Sequence, residues 1–134
     1  GLTVAVQRTT VSETDDVRPK KDACNGDLTV LSYDTGDNAA LAVLMGRADA
    51  LSADSPVTAW AVNRSEGKMR QVGDMFQASP YGFAVSKDSD LGKASAAALQ
   101  HLIETGEYAE ILSRWGIEDG LIDQAMINER PING

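Results

Sequence analysis

Asp54 and the run Arg8-Thr9-Thr10-Val11 are the residues whose types could grip an ammonium group and a carboxylate. A carboxylate such as that of Asp54 accepts from an ammonium in a charge-assisted bond worth roughly 1.5–3 kcal/mol. Free backbone N–H groups at a helix start, with one or two hydroxyls, form an anion site, and Thr9-Thr10-Val11 can supply both. A plainer reading also exists, because Thr10 and Glu13 have capping-box spacing and Thr10 could merely cap its own helix. Arg8 can pair with an anionic ligand or stand solvated at a strand end. For Asp54 the plainer role is a second cap beside Ser55-Pro56. That pair already spells a complete start, serine as N-cap and proline at the first helical position. Asp54 is therefore expected to face a cleft, whereas Asp49 reads as a loop or cap contact.

The elements that must position these groups follow from the pattern around them. Residues 46–56 read GRADALSADSP: a glycine closing the apolar run 39–45, a short buried strand between two aspartates, then a new helix. An acid at the carboxyl end of a buried strand, beside the next helix start, is where open α/β sheets place ligand contacts. Upstream, Leu2 to Gln7 (LTVAVQ) reads as a strand. A helix is expected from about Thr10, with Asp15 and Asp16 suiting its positive end, Pro19 limiting its length and Cys24-Asn25-Gly26 stopping it. Leu28 to Tyr33 is a second strand, and Asp37 or Asn38 is expected to cap the helix ending at Gly46. The third strand spans 49–54, and a helix covers about 56–63. The order β-α-β-α-β-α implies a parallel sheet with right-handed crossovers. Further strands are expected at 69–72 and 81–85. Helical spacing then runs from Leu91 to Gly106 and from Glu107 to Trp115, where Gly116 caps it.

Bulk properties narrow the function. At 134 residues there is room for one domain or a little more. A formal charge of −8 argues against a nucleic-acid partner, since phosphate binding needs a basic face, and is compatible with a cationic or zwitterionic ligand. One cysteine (Cys24) and one histidine (His101) exclude an internal disulfide and make a transition-metal site of the usual kind unexpected. His101 sits among apolar residues of the long helix as a structural or surface group. No enzyme motif is present, no cofactor is implied, and no apolar run reaches the length of a membrane span. No signal peptide is expected in this chain, and a strand beginning almost at Gly1 suggests a processed or truncated one.

Taken as a set, VAVQ-RTT-VSE, GRADALSAD-SP, SPYGFAV and GEYAEILSRWG resemble the C-terminal half of solute-binding proteins of polar amino-acid ABC importers. The resemblance covers nearly the whole chain and implies one lobe of the type II periplasmic-binding fold. Residues 1–80 would be ligand-binding lobe two, 81–87 a returning hinge strand, and 88–134 the helices and tail that complete lobe one. It implies that Asp54 holds the α-ammonium of a free amino acid, while the turn at Thr9-Thr10-Val11 meets its α-carboxylate. In the family pattern that turn is VxxGTT-like. Aligned through Ser12-Glu13, Thr9 falls on the usual glycine and Val11 on the second threonine, so the amides of Thr10 and Val11 are favoured over the hydroxyls. An extracytoplasmic location and an ABC permease partner are implied, without indicating which amino acid is bound. With no first lobe ahead of Gly1, the chain is expected to be a fragment that binds weakly and self-associates or swaps through the helices at 91–115. Other uses of the same scaffold are an arogenate- or prephenate-dehydratase-like enzyme, a sensor domain, and the effector domain of a LysR-type regulator.

Overall fold

The β-branched run Leu2–Gln7 forms strand β1, the centre of a three-stranded parallel sheet in the order β2-β1-β3. Strand β2 is Leu28–Tyr33 and β3 is Ala50–Ser52. The computed structural model describes residues 1–132 in two units, Gly1–Gly73 and Asp74–Gly134. Asn133 and Gly134, part of the expected C-terminal segment, lie outside the described residues.

In the first unit the strands carry different side chains to their two faces, as a period of two requires. On one face Ala5 meets Ala39, Ala42 and Ala48, with Leu31, Tyr33, Val43 and Leu51 packed around them. Ala39 and Ala42 lie on helix α2, Gly36–Leu44. On the other face Val6 packs with Val17 and Leu28, flanked by Val4 and Val30. Val17 comes from the helical segment after β1, which is π-type over Ser12–Val17 and becomes helix α1 over Arg18–Ala23. The wider turns precede Pro19, which has no N–H and whose ring crowds the carbonyl four residues back in a regular helix. The two crossovers therefore cover opposite faces, and the strand order reverses between β1 and β3.

Helix α2 ends as GRADA suggests. Gly46 takes φ +70°, and the Arg47 amide reaches back to the Ala42 carbonyl at 2.8 Å, closing the last turn. Its start differs from expectation. Thr35, not Asp37 or Asn38, is the N-cap, its hydroxyl accepting from the Asn38 amide at 3.2 Å. Helix α3 (Ser55–Arg64) begins one residue earlier than the Ser-Pro signal implied, with Asp54 rather than Ser55 in the N-cap position. Strand β3 is shorter than 49–54. Asp49 lies just before it, clasping β1 by donating its amide to Thr3 O and accepting the Thr3 amide on its carboxylate at 2.7 Å.

The strands expected at 69–72 and 81–85 do not form. Both segments lack regular structure, and every residue from 70 to 91 is exposed. An extended run becomes a strand only within a ladder. Among the described residues the strand ladders are β2-β1-β3 and a short pairing of Met126–Ile127 with Arg130–Pro131, which leave both segments out.

In the second unit, helices α4 (Leu91–Thr105) and α5 (Glu107–Trp115) match the sequence reading, each ending at a left-handed glycine, Gly106 and Gly116. A short 3-10 turn, Glu118–Gly120, follows. The tail then folds into a hairpin of β4 (Met126–Ile127) and β5 (Arg130–Pro131). Asn128 and Glu129 turn it with φ +50° and +63°, the left-handed pair that matches hairpin twist. The Ala125 amide donates to Gln100 Oε1 at 3.0 Å, tying this tail to α4.

Candidate functional site

Register fixes where the candidate residues fall. Val6 of β1 stands opposite Ser32 of β2 and Ser52 of β3. Two residues beyond that row, parallel β1 and β3 run out at Arg8 and Asp54. Arg8, Thr9, Thr10, Val11 and Asp54 thus share the carboxyl edge of two adjacent strands whose crossovers leave to opposite faces. That reversal opens a crevice in a doubly wound sheet and is where such sheets bind ligands.

The turn after β1 is tightly specified. Thr9 has φ +61°, the left-handed region that a β-branched residue rarely enters. Glycine would enter this region without that strain. The Thr9 hydroxyl donates to Arg8 O at 2.7 Å, and the Thr10 hydroxyl donates to Gln7 O at 2.7 Å. Both hydroxyl protons are thereby committed to the chain itself. The Thr9 amide is committed as well, to Glu13 Oε2 at 2.6 Å. This departs from a capping box, in which Glu13 would reach Thr10. The amides of Thr10 and Val11 have no hydrogen-bond acceptor among the described residues, as expected of the first N–H groups of a helix.

Asp54 is exposed at the N-cap position of α3, and its side chain makes no capping hydrogen bond. Thr58 closes the turn instead, its amide donating to Asp54 O at 2.9 Å and its hydroxyl to Ala53 O and Asp54 O. Arg8 extends the sheet by donating its amide to Tyr33 O at 2.7 Å, and its guanidinium pairs with Asp34 at 2.9 Å on the surface.

Beneath this edge lie two buried carboxylates whose role the sequence reading missed. Glu13, with a side chain only 5% exposed, accepts from Ser32 Oγ at 2.5 Å and from both Nε and a terminal nitrogen of Arg18, at 3.1 and 2.5 Å. The Ser32 hydroxyl, then the Thr9 amide and Arg18, hold its pKa down at about 2, against the opposing effect of burial. Asp16, one helical turn on, pairs with Lys20 and accepts from Ser52 Oγ at 3.2 Å. The helical segment is thus pinned to both strands that flank β1. A signal was available. Ser32 follows Leu28 and Val30 on an otherwise apolar inward face, and such a hydroxyl requires a polar partner. Among the described residues no group of three or more metal-binding side chains forms, and Cys24 is exposed.

No family model and no solved structure matches the chain. Among curated proteins it is 61% identical over 137 aligned positions to the arginine-binding protein ArgT of Corynebacterium glutamicum. That alignment takes in 99% of this chain and 45% of the relative, so the chain spans about half the length of the protein it matches.

Proposed function

We propose that this chain, 61% identical to an arginine-binding protein, belongs to a solute-binding protein of the ABC-import class and forms one wall of its amino-acid cleft. The carboxylate of Asp54 takes the ligand's α-ammonium, and the amides of Thr10 and Val11 donate to its α-carboxylate. The hydroxyls of Thr9 and Thr10 act within the turn rather than on the ligand, and Arg8, paired with Asp34, stands at the same edge as a charged group that an anionic ligand can recruit. Arginine is the ligand to test first, since the relative is named for binding it and a net charge of −8 suits a cationic partner. The observation that supports the reading is the register of β1 against β3, whose carboxyl ends lead into the 9–11 turn and Asp54 where strand order reverses.

The role is capture, not turnover, in keeping with the relative's name as a binding protein. A protein of the relative's length supplies a facing lobe, closes over the ligand and presents it to an ABC permease outside the cytoplasm. In that frame residues 1–80 act as lobe two. Residues 81–87 gain strand character when a neighbouring strand is supplied, and residues 88–134 complete the other lobe. The 134-residue chain by itself is expected to bind weakly and to self-associate through 91–115, where Leu91, Ile111 and Trp115 are substantially exposed.

The test is a thermal-shift screen of the twenty amino acids on the full-length protein, repeated with Asp54→Ala. L-Arginine is expected to give the largest shift. The variant should lose roughly ten- to a hundredfold in affinity, matching a charged hydrogen bond of about 1.5–3 kcal/mol. A variant that keeps the full shift refutes the assignment of Asp54.

A further inference from the structure

We infer that Glu13 is a positioning residue: it sets the conformation of the 8–11 turn that offers the Thr10 and Val11 amides at the sheet edge. The inference deepens the proposed function and rests on that reading for the ligand's identity, though not for the geometry of the turn.

The connection is direct. Thr9 sits in the left-handed region at φ +61°, where its Cβ crowds the neighbouring backbone, so the conformation has to be held by its surroundings. One carboxylate oxygen of Glu13 holds it, accepting the Thr9 amide at 2.6 Å. The other is fixed by three donors, Arg18 Nε, an Arg18 terminal nitrogen and Ser32 Oγ. Arg18 lies on α1 and Ser32 on β2, so Glu13 joins the turn to the helix that follows it and to the neighbouring strand. All three donors are used on one oxygen, which leaves the second for the turn.

The sign of the electrostatics makes the claim discriminating. A buried carboxylate one turn away from an anion site repels a ligand carboxylate, though Arg18 offsets much of that charge. If Glu13 acted only through its field, Glu13→Gln would tighten ligand binding. A positioning role predicts the opposite. A glutamine has one acceptor oxygen, and its NH₂ faces donors, so it can serve the Thr9 amide or the Arg18–Ser32 pair but not both.

The experiment measures L-arginine affinity by calorimetry and backbone order parameters of residues 9–11 by NMR, in the full-length protein and its Glu13→Gln variant. Ser32→Ala serves as a milder variant that keeps the carboxylate. Circular dichroism verifies that both are folded. The expected result for Glu13→Gln is an affinity loss of about tenfold. The Thr10 and Val11 order parameters should fall from the rigid range, about 0.85, toward about 0.6. Ser32→Ala should move both readouts the same way by less. Unchanged order at the two amides overturns the inference whatever the affinity does, and so does unchanged or tighter binding with a loosened turn. If the wild-type protein ignores L-arginine, or if Asp54→Ala makes no difference, the proposed function falls, while the ligand-free order parameters still decide the role of Glu13.

Discussion

Residues 1–73 bury their central strand on both faces, whereas among the described residues of 74–134 only Ala96 and Ala125 are buried. The contrast does not come from weaker local signals. Helix α5 places Tyr108, Ile111, Leu112 and Trp115 along one stripe and is closed by a glycine at each end. Yet Trp115 remains 52% exposed, and Phe83, ahead of α4, 76%. Periodicity specifies a helix and which stripe is apolar; burial needs a second apolar surface in reach. In the first unit the sheet is that surface for both crossovers. On the α2 face the contact is built largely from alanines, Ala5, Ala39, Ala42 and Ala48, and on the other from Val6, Val17 and Leu28. Among its described residues the second unit contains helices and a hairpin but no sheet broad enough to receive them.

The contrast can be attacked where it should be largest. Val6→Ala deletes two buried carbons from the centre of β1 and should lower unfolding stability by about 2 kcal/mol, read from urea titration by circular dichroism. A loss below 0.5 kcal/mol would mean the core of the first unit is looser than its burial implies. The polar side of that core has a pH signature. Glu13 has a folded pKa of about 2 against an ordinary value of 4.5, so its contribution is fully present above 4.5 and is lost as pH falls toward 2. The wild-type melting temperature should drop across that window, and Glu13→Gln should flatten the dependence. A smaller gain is expected from Thr9→Gly, which relieves the left-handed backbone and should raise stability by about 1 kcal/mol in the same titration. The smallest effect belongs to the other region: Phe83→Ala should stay within about 0.5 kcal/mol. A loss comparable with that of Val6→Ala would erase the distinction between the two units.

Much of the framework of the candidate site was legible because its parts are local signals with fixed consequences. The β-branched run of β1, the strand ending before Asp54 and the glycine after α2 each spell one element. Three such units in succession impose a parallel sheet whose carboxyl edge collects the intervening loops. The failures are also physical. Residues 81–85 alternate like a strand, but strand formation is a property of pairs. Asp37 and Asn38 have cap chemistry, but Thr35 is the residue whose backbone is extended when the helix begins. Ser55-Pro56 spells a start with Ser55 as its cap, but proline is also accommodated at the second helical position, which leaves Asp54 as the N-cap.

Local residue pattern set the α/β order, the positions of the glycine stops and the pair of loops carrying an acid and a threonine turn. These depend on neighbours a few residues apart, where backbone preference and hydrophobic period act directly. Tertiary structure alone decided that β1 lies between β2 and β3, that Ser32 and Ser52 flank Val6, and that Glu13 serves Thr9 rather than Thr10. Those outcomes join residues as far as 46 positions apart, because a buried carboxylate takes whichever donors the packed sheet brings within reach.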